Sequence, residues 1–154
     1  MKPLQTTVEE VLRTAIQSEV ETRVFYQRIA ERTSIPEVKS RLLQLADNEL
    51  LHRAKLERRY REEIGSAPPD PLPETVELPS EIDDLDMKRA LKICLERERD
   101  SESYFRFMAE RAQTTDLLNL FLELAEFEWK HKTDLQAEYD RVTASDPEQF
   151  LRDI

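Results

Sequence analysis

The chain contains one eight-residue pattern twice, and the second copy lies 79 residues after the first. The first copy reads LADNELLH at residues 45–52, and the second reads LAEFEWKH at residues 124–131. Each copy ends in one of the chain's two histidines, and each histidine follows a glutamate by three positions. Side chains three residues apart share one face of an α-helix. The pattern therefore predicts two equivalent helices, each presenting a carboxylate beside an imidazole.

The repeat extends into the segment that precedes each copy. At the same offset, AIQSEVETRVFYQRIAER (15–32) aligns with CLERERDSESYFRFMAER (94–111), and Glu19 falls on Glu98. A solenoid would need shorter and more numerous units than two copies of this length. The chain is therefore predicted to contain two helix hairpins that face each other with approximate two-fold symmetry.

Composition and capping residues predict an all-α protein. The chain has a single glycine, and it lacks the runs of β-branched and aromatic residues that are typical of strands. Five of its eight prolines fall between positions 68 and 79, where they exclude helix. Capping residues and apolar spacing predict four helices: about 7–33, from a second capping box at Ser34 to near Gly65, about 84–112, and from Thr114-Thr115 to about 144.

These elements fit a single domain over residues 1–154. Its internal repeat would place one hairpin at about 7–64 and the other at about 84–144, with a linker at 65–81. Because that linker is long for a connection between helices, it is expected to cross the length of the bundle. The predicted fold is an antiparallel four-helix bundle with one long crossover between its second and third helices.

The net charge of −10 argues against a nucleic-acid partner or an anionic membrane surface, since either would require a basic face. No segment has the length and apolar character of a transmembrane helix or of a signal peptide. Cys94 is the only cysteine, which excludes a disulfide framework within the chain and a zinc-ribbon site. We expect a soluble, cytoplasmic protein.

Both Glu-x-x-His pairs lie on the apolar face of their helices, as do Glu19 and Glu98. Burying unpaired carboxylates is costly, so a positive charge between them is expected. Four glutamates and two histidines form the donor set of di-iron and di-manganese carboxylate bundles. Carboxylates with imidazoles suit iron or manganese better than thiol-seeking metals. The predicted ligands are Glu19, Glu49, His52, Glu98, Glu128 and His131.

Other polar and aromatic residues are given plainer interpretations. Tyr26 is either a core aromatic or a donor to a ligand carboxylate, and both interpretations stay open. Cys94 occupies the slot of Ala15 in the first repeat, which favours a small buried residue over a redox thiol. Trp129 is expected to face away from the metal and to pack in the core or at an interface. Three glutamates off the apolar stripe are interpreted as solvated charges: Glu21, Glu96 and Glu102.

AIQSEVETRVFY with LADNELLH, echoed by CLERERDSESYF with LAEFEWKH, resembles the helix pattern of the rubrerythrin branch of the ferritin-like superfamily. The resemblance covers about residues 7–144. It implies a four-helix bundle with a non-haem di-iron centre that reacts with hydrogen peroxide or dioxygen, and it implies a homodimer. Two departures stand out. The sequence lacks the four cysteines of a rubredoxin-like domain, and Ser101, with Glu102 beside it, stands where the family has an extra glutamate.

The leading hypothesis is a rubrerythrin-type oxidoreductase with two iron ions, or manganese in their place, that reduces peroxide or activates dioxygen. Glu49 and Glu128 would be the bridging ligands. Electrons would come from a separate donor such as a rubredoxin-like protein. The alternative is iron binding, with ferroxidase activity or iron sequestration and no sustained peroxidase turnover. A third hypothesis is a metal-free interaction bundle.

Overall fold

The computed structural model describes residues 7–33, 36–72 and 87–144. They form four α-helices, as the sequence predicted, and no strand occurs in these ranges. The helices are α1 (Val8–Arg32), α2 (Pro36–Ile64), α3 (Met87–Glu110) and α4 (Thr115–Ala144). The observed ends lie close to the predicted ones wherever both fall within the described residues.

Local side-chain chemistry fixes the helix ends. At the start of α1, the Glu10 backbone amide donates to the Thr7 hydroxyl at 3.1 Å. The Thr7 amide donates to the Glu10 carboxylate at 3.3 Å, which completes a capping box. Gly65 ends α2 with a φ of 87°, a conformation that glycine adopts without strain. The second predicted capping box, at Ser34, lies outside the described residues.

Each helix packs mainly against its hairpin partner, α1 on α2 and α3 on α4, and the two hairpins together form the bundle. The connection between α2 and α3 begins at Gly65. The Gln17 side chain holds the end of its described part, accepting from the Leu72 amide at 2.9 Å and donating to the Leu72 carbonyl at 3.2 Å. The rest of the connection, residues 73–86, lies outside the described residues, so the linker boundary at 81 stays a prediction. The assignment of residues 1–154 to one domain also stays a prediction.

The core divides into two apolar clusters that lie toward opposite ends of the bundle. One cluster contains Leu12 and Ile16 of α1 with Leu120 and Leu124 of α4. The other contains Phe25, Tyr26 and Ile29 of α1 with Leu91 and Leu95 of α3, and with Leu42 of α2. Along each helix, the residues between the two clusters include a buried glutamate. The fold therefore sets a polar layer between two apolar layers.

None of the helices in the described ranges is long and apolar enough to cross a membrane.

Candidate metal centre

Each helix places its most deeply buried glutamate in the polar layer at mid-bundle. The four side chains are at most 6 % exposed, and they are Glu19, Glu49, Glu98 and Glu128. Each occupies a position on the apolar stripe of its helix, which is why folding carries it inward. Four carboxylates at this depth would be strongly destabilising without protons or cations to offset their charge.

The two histidines meet in the same layer, across the hairpin boundary. His52 Nε2 lies 3.1 Å from His131 Nε2, and the centres of the rings are 4.1 Å apart. The ring of His52 also stacks on Phe127, with the ring centres 5.6 Å apart. The 79-residue repeat thus brings its two Glu-x-x-His motifs into direct contact at the centre of the bundle.

The carboxylates surround the two imidazole rings. Glu98 Oε2 and Glu49 Oε1 each lie 3.4 Å from His131 Nδ1, and Glu19 Oε2 lies 3.9 Å from His52 Nδ1. Within the described residues, two sets of donor atoms lie close enough together to hold a metal ion: Glu49, His52 and His131, and Glu98, Glu128 and His131. Glu128 also hydrogen-bonds both Glu19 and Glu98, which brings all six predicted ligands into one cluster.

Burial and mutual repulsion shift the pKa values of these groups. Burial, with the nearby charge of Glu98, raises the pKa of Glu19 to about 8. Burial and the hydrogen bond to Glu98 also raise the pKa of Glu128 far above its ordinary value. Burial acts to raise the pKa of Glu98 too, but hydrogen bonds from Glu128, His131 and Tyr26 outweigh it and lower that pKa. Without cations, the carboxyl groups therefore share protons, which offset part of their buried negative charge.

The imidazoles are affected in opposite directions. Burial and the charge of His131 lower the pKa of His52 to about 4. Burial also acts to lower the pKa of His131, but the hydrogen bond and charge of Glu98 raise it overall. At neutral pH His52 is therefore a neutral imidazole, the form that coordinates metals.

Unpartnered donor atoms support the fit of a metal to this cluster. Glu19 Oε2 and His52 Nδ1 are buried and have no hydrogen-bond partner among the described residues. A buried polar atom without a partner costs about 1–3 kcal/mol, and a cation placed between these two atoms would satisfy both. The chemistry of the donor set, carboxylate oxygens with imidazole nitrogens, suits iron or manganese. That these six side chains are the metal ligands stays a prediction.

Tyr26 satisfies both interpretations that the sequence left open. Its ring is buried in the apolar cluster beside α3, and its hydroxyl donates a hydrogen bond to Glu98 Oε1. Cys94 is buried as predicted, and burial, with the charge of Glu98, raises the pKa of its thiol. A thiol in this state is a poor nucleophile.

The interpretation of Glu102 as a solvated charge is wrong. Its side chain is buried, and Lys132 Nζ donates to both of its carboxylate oxygens, at 2.7 and 3.1 Å. Arg106 lies farther away, at 3.8 Å. Glu102 follows Glu98 by four residues, which places it on the same face of α3. Lys132 follows His131 directly on α4, so helical spacing could have indicated the ion pair between Glu102 and Lys132. The interpretation holds for Glu96, which is exposed, whereas Glu21 is half-buried and accepts from Gln17.

Trp129 is 42 % exposed, so packing in the core is excluded and the interface interpretation stays a prediction. Its position beside Glu128 on α4 turns it outward, as the sequence predicted.

Solved structures share this fold. A hypothetical protein from Pyrococcus furiosus is 26 % identical to the chain, covers 87 % of it and 89 % of its own length, and has a TM-score of 0.60. An uncharacterized conserved protein from Magnetospirillum magnetotacticum MS-1 is 19 % identical, covers 88 % of the chain and 95 % of its own length, and has a TM-score of 0.70. No curated protein matches the chain. The rubrerythrin family model matches residues 10–139, and the chain therefore belongs to the rubrerythrin family.

Proposed function

We propose that the protein is a non-haem di-iron oxidoreductase that reduces hydrogen peroxide or activates dioxygen. One observation carries the proposal: four buried carboxylates and two imidazoles from all four helices converge in one layer. Family membership supports the choice of iron. Manganese would suit the same donors.

The contacts divide the donors into two halves with a shared centre. Glu19 and His52 would serve one ion, and Glu98 and His131 the other, because the nitrogen and oxygen atoms of each pair lie within 3.9 Å of each other. Glu49 and Glu128 would bridge the ions. Four ionised carboxylates balance the charge of two divalent cations, which makes the burial of the cluster tolerable. A bound iron pair would supply electrons to an oxidant from two adjacent metal ions.

The chain itself shields the carboxylates of the site. Apolar clusters lie on both sides of the polar layer, and the four carboxylate side chains are at most 6 % exposed. Reduction of hydrogen peroxide to two water molecules consumes two electrons and two protons. The sequence, with its single cysteine, holds no rubredoxin-like iron site, so we propose a separate electron donor such as a rubredoxin-like protein.

We also propose that the protein is a homodimer, because the family resemblance implies one.

Elemental analysis tests the metal centre directly. Protein loaded anaerobically with Fe(II) should hold about two iron ions per chain, as expected for a carboxylate bundle with this donor set. His52→Ala and Glu98→Gln should lower that ratio. Glu96→Gln on the exposed face of α3 should leave it unchanged. Wild-type protein that binds no iron would refute the proposal.

Single-turnover oxidation then tests the activity. The Fe(II)-loaded protein should consume stoichiometric hydrogen peroxide rapidly, and it should react again once a reductant has restored Fe(II). One observation favours the alternative of iron binding with ferroxidase activity or sequestration: Ser101 stands where the family has an extra glutamate. If the bound Fe(II) is oxidised once and the iron is then released with no second turnover, the result would support that alternative.

A further inference from the structure

The two halves of the polar layer differ at one pair of repeat-related positions. Tyr26 of α1 donates a hydrogen bond from its hydroxyl to Glu98 Oε1 on α3. At the offset of 79 residues, the counterpart of Tyr26 is Phe105, and the counterpart of Glu98 is Glu19. Phe105 is buried in the apolar cluster with Ala15 and Ile16, and a phenyl ring has no hydroxyl to donate. The two repeats therefore supply equivalent metal ligands, but only one repeat supplies a hydroxyl that hydrogen-bonds to a ligand.

The consequence is visible in the carboxylates. Both oxygens of Glu98 have partners, since Oε1 accepts from Tyr26 and Oε2 lies 3.4 Å from His131 Nδ1. In the other half, Glu19 Oε2 and His52 Nδ1 have no hydrogen-bond partner among the described residues. Glu128 does not distinguish the halves, because it hydrogen-bonds both Glu19 and Glu98.

A carboxylate that is already oriented binds an ion at a smaller entropic cost than one that must be ordered during binding. Groups that hydrogen-bond to metal ligands fix the orientation of those ligands, and removing them typically weakens metal affinity. Because the Tyr26 ring is fully packed, its hydroxyl holds Glu98 in one orientation. At the equivalent position beside Glu19, Phe105 has no hydroxyl to donate.

We propose that Tyr26 makes the two metal positions unequal, so that the ion beside Glu98 and His131 binds first and more tightly than the ion beside Glu19 and His52. Tyr26 acts here as a positioning residue, through its hydrogen bond to Glu98. This inference rests on the proposed di-metal centre and adds an order of loading to it.

Titration of the metal-free protein with Co(II) tests the inference, with Co(II) standing in for Fe(II) and its visible absorption bands as the readout. Wild-type protein should bind two ions in two resolved steps. Tyr26→Phe removes only the hydroxyl, and it should weaken the tighter step about 10–100-fold while leaving the weaker step in place. His52→Ala should retain the tighter step and lose the weaker one.

Tyr60→Phe is the matched control. The Tyr60 hydroxyl also donates to a glutamate, Glu9, at 2.8 Å, but it lies in the cluster at one end of the bundle and away from the polar layer. This variant should leave both steps unchanged. Thermal unfolding of each metal-free variant shows whether the bundle is intact.

Results with either variant could overturn the inference. Either both steps weaken equally in Tyr26→Phe, or His52→Ala loses the tighter step. Two wild-type ions of equal affinity would contradict the order of loading and leave the proposed function standing. Wild-type protein that binds no Co(II) would contradict the proposed function itself.

Discussion

Replacing Glu19 by glutamine should stabilise the metal-free protein and weaken its response to metal. Glu19 is 6 % exposed, and burial, with the charge of Glu98, raises its pKa from 4.5 to about 8. The folded chain therefore keeps a proton on Glu19 at neutral pH that the unfolded chain releases. Glutamine is an uncharged isostere of the protonated acid, and it avoids this cost of proton uptake.

The size of the effect follows from linkage. A carboxyl whose pKa is raised on folding favours the folded state fully below its unfolded value, near 4.5, and that contribution is lost as pH rises through about 8. One pH unit within this window changes the free energy of unfolding by about 1.4 kcal/mol, which gives about 3 kcal/mol at pH 7. The Glu19→Gln variant should recover up to that amount, or about 6–12 °C in Tm for a chain of this size. The gain should vanish below pH 4.5.

Thermal unfolding with a chelator present, at pH 4, 7 and 8, measures this gain. The same experiment after Fe(II) or Co(II) loading should show a smaller or reversed gain, because two ions should stabilise the wild type and only the ion beside Glu98 and His131 should stabilise Glu19→Gln. Glu31→Gln, at an exposed position on the same helix, is the control and should change Tm little in either state. A variant less stable than wild type at pH 7 without metal, or equally stabilised at pH 4 and pH 8, would refute the reasoning.

Three further predictions concern the free energy of unfolding of the metal-free protein, measured by urea denaturation. Lys132→Ala should lower it by about 1–3 kcal/mol, because it leaves the buried Glu102 without its closest cation. An unchanged midpoint would show that Arg106 alone suffices for Glu102. Thr7→Ala removes the capping box of α1 and should cost about 1 kcal/mol, so a neutral result would argue that the cap is unimportant. Leu91→Ala opens a cavity at a fully buried position and should cost about 2–5 kcal/mol, whereas a loss below that range would indicate that the core collapses around the smaller side chain.

Much of the fold follows from local sequence. The capping box at Thr7 and the glycine at position 65 mark helix ends through interactions between near neighbours, which a sequence displays directly. The apolar spacing predicts which helix face is buried but not how neighbouring helices cross. Leu45 and Ala46 open the repeated pattern together, yet Ala46 is fully buried and Leu45 only partly. A small rotation of α2 about its axis decides between the two.

For the candidate site, too, the sequence predicts features within one helix better than contacts between helices. Helical spacing placed Glu49 and His52 on one inward face, and the repeat supplied their counterparts. Contacts between different helices were not predictable, because they depend on how the hairpins dock. The hydrogen bond from Tyr26 to Glu98 and the ion pair of Glu102 with Lys132 both cross between helices that the sequence treats separately.

The division of contacts between hairpins has a consequence for assembly. Helices pair extensively within each hairpin, whereas His52 meets His131 and Tyr26 meets Glu98 only where one hairpin faces the other. Neither half of the chain alone contains a complete donor set. Each hairpin can therefore become helical first, and metal coordination would then hold the two hairpins together. Removal of the ions would weaken the packing between the hairpins before any helix unfolds.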